Sequence, residues 1–121
     1  MKLTNQQIVE YAQQLNIFTN CEVKLPVKVN FFLQKNIRLL QEAAQEIEMA
    51  KLEIAKTHGE LAEDGNSYHF KQEVLPQVNQ ELVELFSIEQ ELSITSISLD
   101  SFANIELGYK EMSAIMFMIE E

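Results

Sequence analysis

The chain is poor in the residues on which several common enzyme and metal sites depend. Its single cysteine, Cys21, excludes an intrachain disulfide, and with only two histidines there is neither a CxxC nor an HExxH motif for zinc. Three scattered glycines cannot form the phosphate-binding loop of a P-loop or dinucleotide-binding protein. Ala55 and Asn66 stand three residues before His58 and His69, where a di-iron bundle needs glutamate. The sequence therefore predicts a protein that is not an enzyme and that uses no metal or cofactor.

Long hydrophobic runs are absent as well. No stretch approaches the roughly 18 apolar residues of a membrane span, and residues 1–7 lack the apolar core of a signal peptide. Glycine and proline are few, while 46% of the residues are hydrophobic, which is typical of a folded chain. We therefore expect one domain over residues 1–121, located in the cytoplasm of a bacterial host cell and without contact to a membrane.

Positive charge is scarce and unevenly placed. Residues 1–41 hold five Lys and Arg against two acids, whereas residues 42–121 hold four against seventeen. A segment of net charge +3 is thus joined to one of net charge −13. A surface this acidic repels nucleic acid and favours basic protein partners. We expect no direct binding of nucleic acid.

Two segments carry strong helical signals. Thr4 and Gln7 have the spacing of a capping box, and a helix with one apolar face is predicted from about Asn5 to Leu15. A longer helix is predicted from about Val27 to His58, a range without glycine or proline in which apolar residues recur every seven positions. The heptad positions are Leu33, Leu40, Ile47 and Ile54, followed three residues later by Asn36, Ala43, Ala50 and Thr57.

The predicted fold class is mainly α with small β elements (α+β), built on a long antiparallel helical hairpin. The second helix of the hairpin is predicted from about Pro76 to Leu92, and a short capped helix follows Gly108 at the end of the chain. The turn signal Glu63-Asp64-Gly65-Asn66 predicts a small β-hairpin or an ordered loop, and alternating apolar residues around Asp100-Ser101 are consistent with a second short hairpin. Cys21 to Leu25 predict a short extended segment.

A basic cluster lies at the start of the long helix. Lys28, Lys35 and Arg38 stand at i, i+7 and i+10 on one side of it, and Lys24 precedes them. These residues are candidates for binding an acidic protein surface or a small anion. The alternative is a solvated face that balances the acids of the same protein.

Two further features are candidates for association. Dispersed glutamates on the two predicted hairpin helices could imitate the phosphates of duplex DNA, or they could simply keep a helical surface soluble. A methionine-rich cluster near the end of the chain could pack in the core or form a flexible contact between copies. The glutamates are Glu42, Glu46, Glu53, Glu81, Glu84, Glu89 and Glu91, and the cluster is Met112, Met116, Phe117 and Met118.

Three segments carry a resemblance to known proteins. Residues Val23 to Asn36, Ala44 to Glu48 and Ala114 to Glu121 resemble an uncharacterised family of small acidic proteins encoded by phages and prophages of Gram-positive bacteria. That family has no assigned activity or site residues. The resemblance implies a setting, since phage genes of this size commonly serve virion assembly or interference with host machinery.

Three hypotheses of function follow. The first is a noncatalytic protein-binding module that associates with itself or with a phage or host protein. The second is an acidic DNA mimic that inhibits a host nucleic-acid-binding or defence protein. The third is a binder of small anionic ligands that uses Lys28, Lys35 and Arg38.

Overall fold

The computed structural model describes residues 1–20, 24–103 and 105–120. Over these ranges the protein is mainly α-helical with short strands, which confirms the predicted class at that level. The α-helices are α1 (Asn5–Leu15), α2 (Val27–His58), α3 (Leu75–Ser87) and α4 (Tyr109–Ile115), and 3-10 turns span Asn16–Asn20, Leu99–Phe102 and Met116–Met118. The strands are β1 (Lys2–Thr4), β2 (Glu60–Leu61), β3 (Tyr68–His69), β4 (Glu89–Glu91), β5 (Ile97–Ser98) and β6 (Ile119–Glu120). The extended segment predicted from Cys21 to Leu25 lies mostly outside the described residues.

Helix α1 begins where the sequence places it. The Thr4 hydroxyl accepts a hydrogen bond from the Gln7 backbone N–H at 3.1 Å, and the Gln7 side chain accepts one from the Thr4 N–H at 2.9 Å. This capping box gives partners to two N–H groups that the helix cannot satisfy itself. Ile8 and Leu15 on the predicted apolar face are buried in the core.

Helix α2 keeps the predicted bounds, but its heptad positions are not equally covered. Leu33, Leu40 and Ile47 are buried, whereas Ile54 is only half-buried near the helix end. Gly59 follows with an extended backbone. A side chain there would bring its Cβ within 2.8 Å of the Ala55 carbonyl oxygen and 2.9 Å of Phe70, so glycine permits a close approach of the chain.

The buried partners of α2 come from several elements. Its core residues share one cluster with Ile8 and Leu15 of α1 and with Ile115 of α4, while α3 contributes the half-buried Leu85 and Phe86. Helix α3 packs against both α2 and α1. The predicted two-helix hairpin is therefore not confirmed, because α2 is the shared support of a small helical assembly.

Helix α3 is also shorter than predicted. It ends at Ser87 instead of Leu92, and the following residues form β4, which pairs antiparallel with β1. The Asn5 N–H donates to the Ile88 carbonyl at 2.8 Å, and the Asn5 side-chain amide donates to the Leu85 carbonyl at 2.8 Å. The start of α1 thus supplies partners to the carbonyl groups that end α3.

The two predicted β-hairpins have different outcomes. Strands β2 and β3 pair antiparallel on either side of a turn in which Gly65 has φ +72° and the Asp64 carboxylate accepts from the Asn66 N–H. The second predicted hairpin is wrong, since β5 pairs parallel with β6 near the end of the chain. The Ser98 hydroxyl caps the 3-10 turn that starts at Leu99, which turns the chain away before a local hairpin forms.

Candidate functional site

The first half of α2 carries a shallow groove on its outer side. Its volume is about 560 Å³, and the walls that the described residues form all come from this one helix. We call it the α2 groove, and it is lined by Val27, Asn30, Phe31, Gln34, Lys35, Ile37, Arg38 and Gln41. Of the three predicted binding residues, Lys35 and Arg38 line the groove, whereas Lys28 lies outside it on the exposed surface.

Apolar side chains are exposed within this basic region. Val27, the first residue of α2, is 88% exposed, and Phe31 one turn later is 62% exposed, although both are large hydrophobic residues. The neighbouring Phe32 turns inward and packs against the core, and its ring meets the Phe31 ring edge-on with centroids 5.4 Å apart. The helix therefore presents an apolar strip to solvent, flanked by positive charge.

Sequence reasoning found the charges of the groove but missed its apolar strip. The missed signal was the pair Phe31-Phe32, because adjacent residues of a helix lie about 100° apart and cannot both face one narrow core. Val27 and Phe31 stand at i and i+4, which places them on the same outer face.

The positive charges of the groove have no partner of opposite sign in the described part of the chain. The ion pairs found there join Met1 to Glu91, Lys2 to Glu89 and Lys56 to Glu53, all outside the groove. Lys28 and Arg38 are exposed, and Lys35 is half-buried beside the groove. A carboxylate brought to this face would meet cations that form no ion pair with the described residues.

The methionine-rich cluster is divided between core and surface. Met118 is only 1% exposed and its sulfur lies 3.4 Å from the Asn36 side-chain nitrogen, so this residue follows the first of the two predicted alternatives, packing in the core. Phe117 stacks on Tyr11 of α1 with ring centroids 4.0 Å apart. Met112 is half-buried against the core, and Met116 points outward.

The division follows from a change of helix type. Helix α4 ends at Ile115, and the 3-10 turn that follows has three residues per turn. Met118 therefore lies on the same inner face as Ile115, while Met116, which the α-helical spacing predicts on the buried face, is exposed.

A buried polar contact joins α2 to α3. His58 Nε2 lies against Glu81 Oε2, and both atoms are hidden from solvent. Sequence reasoning considered these residues separately and did not pair them, since the contact spans the whole β2–β3 segment. Within the described ranges, no three His, Cys, Asp or Glu residues cluster closely enough to hold a metal ion.

Comparisons with known proteins found no relative of this chain. Neither protein-family models, nor curated proteins, nor solved structures match this chain. In the part of the chain that the structure describes, no helix has both the length and the apolar character that crossing a membrane requires.

Proposed function

We propose that this protein is a noncatalytic protein-binding module that docks an acidic protein surface into the α2 groove. The observation that carries the proposal is the combination of an exposed apolar strip, Val27 and Phe31, with the cations Lys35 and Arg38 in an otherwise acidic protein. Apolar contact supplies affinity at such a surface, and the flanking charges select an acidic partner and speed its approach. The resemblance to small acidic phage proteins suggests a role in virion assembly or in interference with a host protein.

A macromolecular partner suits the groove better than a small anion does. Small-ligand sites are concave and enclose most of the ligand between several structural elements. Among the described residues the α2 groove is an open face of a single helix, and its exposed members include the apolar Val27 and Phe31. A second helix or an extended segment can cover such a strip along its length, as in helix-in-groove recognition.

Site-specific cross-linking in producing cells tests the proposal. A photo-reactive phenylalanine analogue placed at position 31 is expected to capture an acidic protein, whereas the same analogue at position 49 is not. Met49 is the matched control, because it lies on the same helix and both side chains are 62% exposed. Its surroundings differ, since Glu46 and Glu48 are near it in place of the basic cluster.

Binding measurements with the captured protein complete the test. Phe31→Ser should weaken binding at least tenfold, because burial of a phenylalanine side chain contributes about 1.5 to 3 kcal/mol. Arg38→Gln should also weaken binding at low salt, and Met49→Ser should leave the affinity unchanged. Equal capture from positions 31 and 49, or an affinity that Phe31→Ser does not alter, would refute the proposed docking surface.

A further inference from the structure

The molecule has a second exposed apolar patch at the junction of α3 and α1. A shallow hollow of about 370 Å³ is present there. We call it the α3 patch, and it is lined by Gln6, Leu82, Val83, Phe86 and Ser87. Val83 is 66% exposed, which makes it the most accessible apolar side chain of α3.

The charges around the α3 patch are negative. Glu84 is exposed next to Val83, and its carboxylate accepts a hydrogen bond from the Gln80 side chain at 3.4 Å. Glu10 is exposed one helical turn after Gln6 and accepts from the Gln6 amide at 3.3 Å. The α3 patch therefore has the chemistry that the α2 groove would bind, namely an apolar centre with carboxylates beside it.

The two surfaces lie towards opposite ends of α1. The α3 patch includes Gln6 in the first turn of α1, whereas residues of the α2 groove approach Leu15 at the end of α1 and Phe18 just after it. The axial separation of Gln6 and Leu15 is roughly 14 Å at 1.5 Å per residue. One molecule cannot place its own α3 patch in its own α2 groove, so the two can meet only between copies.

We infer that the acidic surface that occupies the α2 groove is the α3 patch of a second copy of this chain. The inference rests on the proposed function and names its partner. Groove-to-groove contact would bring Lys35 and Arg38 of one copy near the same cations of the other, and patch-to-patch contact would bring Glu84 near a second Glu84, whereas groove-to-patch contact pairs opposite charges. Such a contact is head-to-tail, and it leaves one free groove and one free patch, so it extends into a ring or an open chain.

Sedimentation equilibrium of the purified full chain over a wide concentration range tests the inference. The average mass of the wild type should rise with concentration beyond that of a dimer, and less so at high salt because charge pairs are screened. A groove variant, Phe31→Ser with Arg38→Glu, and a patch variant, Val83→Ser with Glu84→Lys, should each remain monomeric. Thermal melting followed by far-UV circular dichroism checks that each variant folds. If a variant does not fold, a milder double substitution replaces it: Phe31→Ala with Arg38→Gln for the groove, and Val83→Ala with Glu84→Gln for the patch.

Matched controls separate the two surfaces from general effects of charge. Met49→Ser with Lys51→Glu changes the net charge as the groove variant does, and Met49→Ser with Glu46→Lys changes it as the patch variant does. All three positions are exposed on α2 outside the groove. Both controls should associate like the wild type.

Mixing the two variants gives the decisive result. The groove variant retains an intact patch and the patch variant retains an intact groove, so an equimolar mixture should form a dimer that does not grow further. A monomeric wild type at every concentration, a mixture that stays monomeric, or a closed dimer that both variants still form would overturn the inference. The proposed function would survive those results if position 31 still captured a different acidic protein, and it would fall with the inference if position 31 captured nothing.

Discussion

Asn36 shows how one polar residue is accommodated in the core of this protein. It occupies a position in the heptad pattern of α2 and is fully buried. Its side-chain amide donates to the Thr95 carbonyl at 2.8 Å and its carbonyl oxygen accepts from the Thr95 N–H at 2.9 Å. In this pair of hydrogen bonds the Asn36 side chain bonds both the N–H and the C=O of Thr95, as a residue of a neighbouring β-strand would. The two bonds connect the segment that follows β4 to α2.

Replacing Asn36 with alanine should destabilise the protein by about 1 to 3 kcal/mol, because the partly buried Thr95 backbone groups would lose their hydrogen-bond partners. Gln34→Ala, at an exposed position on the same helix, should change stability by less than about 0.5 kcal/mol. Urea unfolding followed by circular dichroism measures both values. Equal effects of the two substitutions would show that the Asn36 contacts contribute little.

The methionines near the end of the chain provide a second residue-scale prediction. Met118→Ala should cost about 2 to 5 kcal/mol, because the side chain is fully enclosed and its loss would leave a cavity. Met116→Ala, on the exposed side of the same turn, should cost less than about 0.5 kcal/mol. Thermal unfolding of the two variants checks the order. A greater loss for Met116 would indicate that the α-helical register continues through this segment.

At the scale of elements, the long helix α2 supports most of the others. Helix α1 packs on its middle, α3 packs near its end beside the His58–Glu81 contact, and Asn36 holds the β4–β5 segment. Two of the small sheets, β1–β4 and β5–β6, join parts of the chain that are far apart in sequence, whereas β2–β3 is a local hairpin. Among the described residues, only α2 itself lines the groove on its first half. The groove is thus exposed because no other described element packs over this part of α2.

Because the heptad positions of α2 are not equally buried, substitutions at these positions should have unequal effects on stability. Leu40→Ala should cost about 2 to 5 kcal/mol, since Leu40 is completely enclosed in the core. Ile54→Ala should cost clearly less, because Ile54 retains contact with solvent. Gln41→Ala is the exposed control beside Leu40. Chemical unfolding of the three variants tests the order, and equal losses at Leu40 and Ile54 would support a uniform two-helix hairpin instead.

At the scale of the whole molecule, the formal net charge of −10 is concentrated in residues 42–121. The protein should not bind a duplex DNA oligonucleotide even at low salt, because approach of the duplex brings two polyanions together. An electrophoretic mobility-shift assay measures this. Binding that weakens with salt and is lost in Arg38→Gln would identify the α2 groove as a nucleic-acid site and would contradict the protein-binding proposal.

The DNA-mimic hypothesis makes a separate whole-molecule prediction. If carboxylates of the acidic surface imitate phosphates, duplex DNA should displace this protein from a basic nucleic-acid-binding partner, and complex formation should weaken steeply with salt. A competition assay with labelled duplex tests it. Simultaneous binding of DNA and this protein to that partner, without mutual displacement, would exclude imitation of the DNA site.

The sequence by itself determined the features that depend on contacts between near neighbours in the chain. The capping box of Thr4 and Gln7 set the start of α1, and the run from Val27 to His58 without a helix-breaking residue set the bounds of α2. The turn at Asp64 and Gly65 lies between β2 and β3 as its residues predict. Such features are readable because hydrogen bonds and side-chain spacing within a few residues decide them.

Only the tertiary structure decided which faces meet and which stay open. β5 has its partner in β6 instead of a local hairpin strand, and α2 packs against α1 as well as against α3. Phe32 faces the core while Phe31 faces solvent, and that difference creates the α2 groove. The periodicity of apolar residues shows that one face of a helix or strand is apolar. Which segment covers that face depends on packing between segments far apart in the chain. Several such packings can have similar free energies, so local sequence does not select among them.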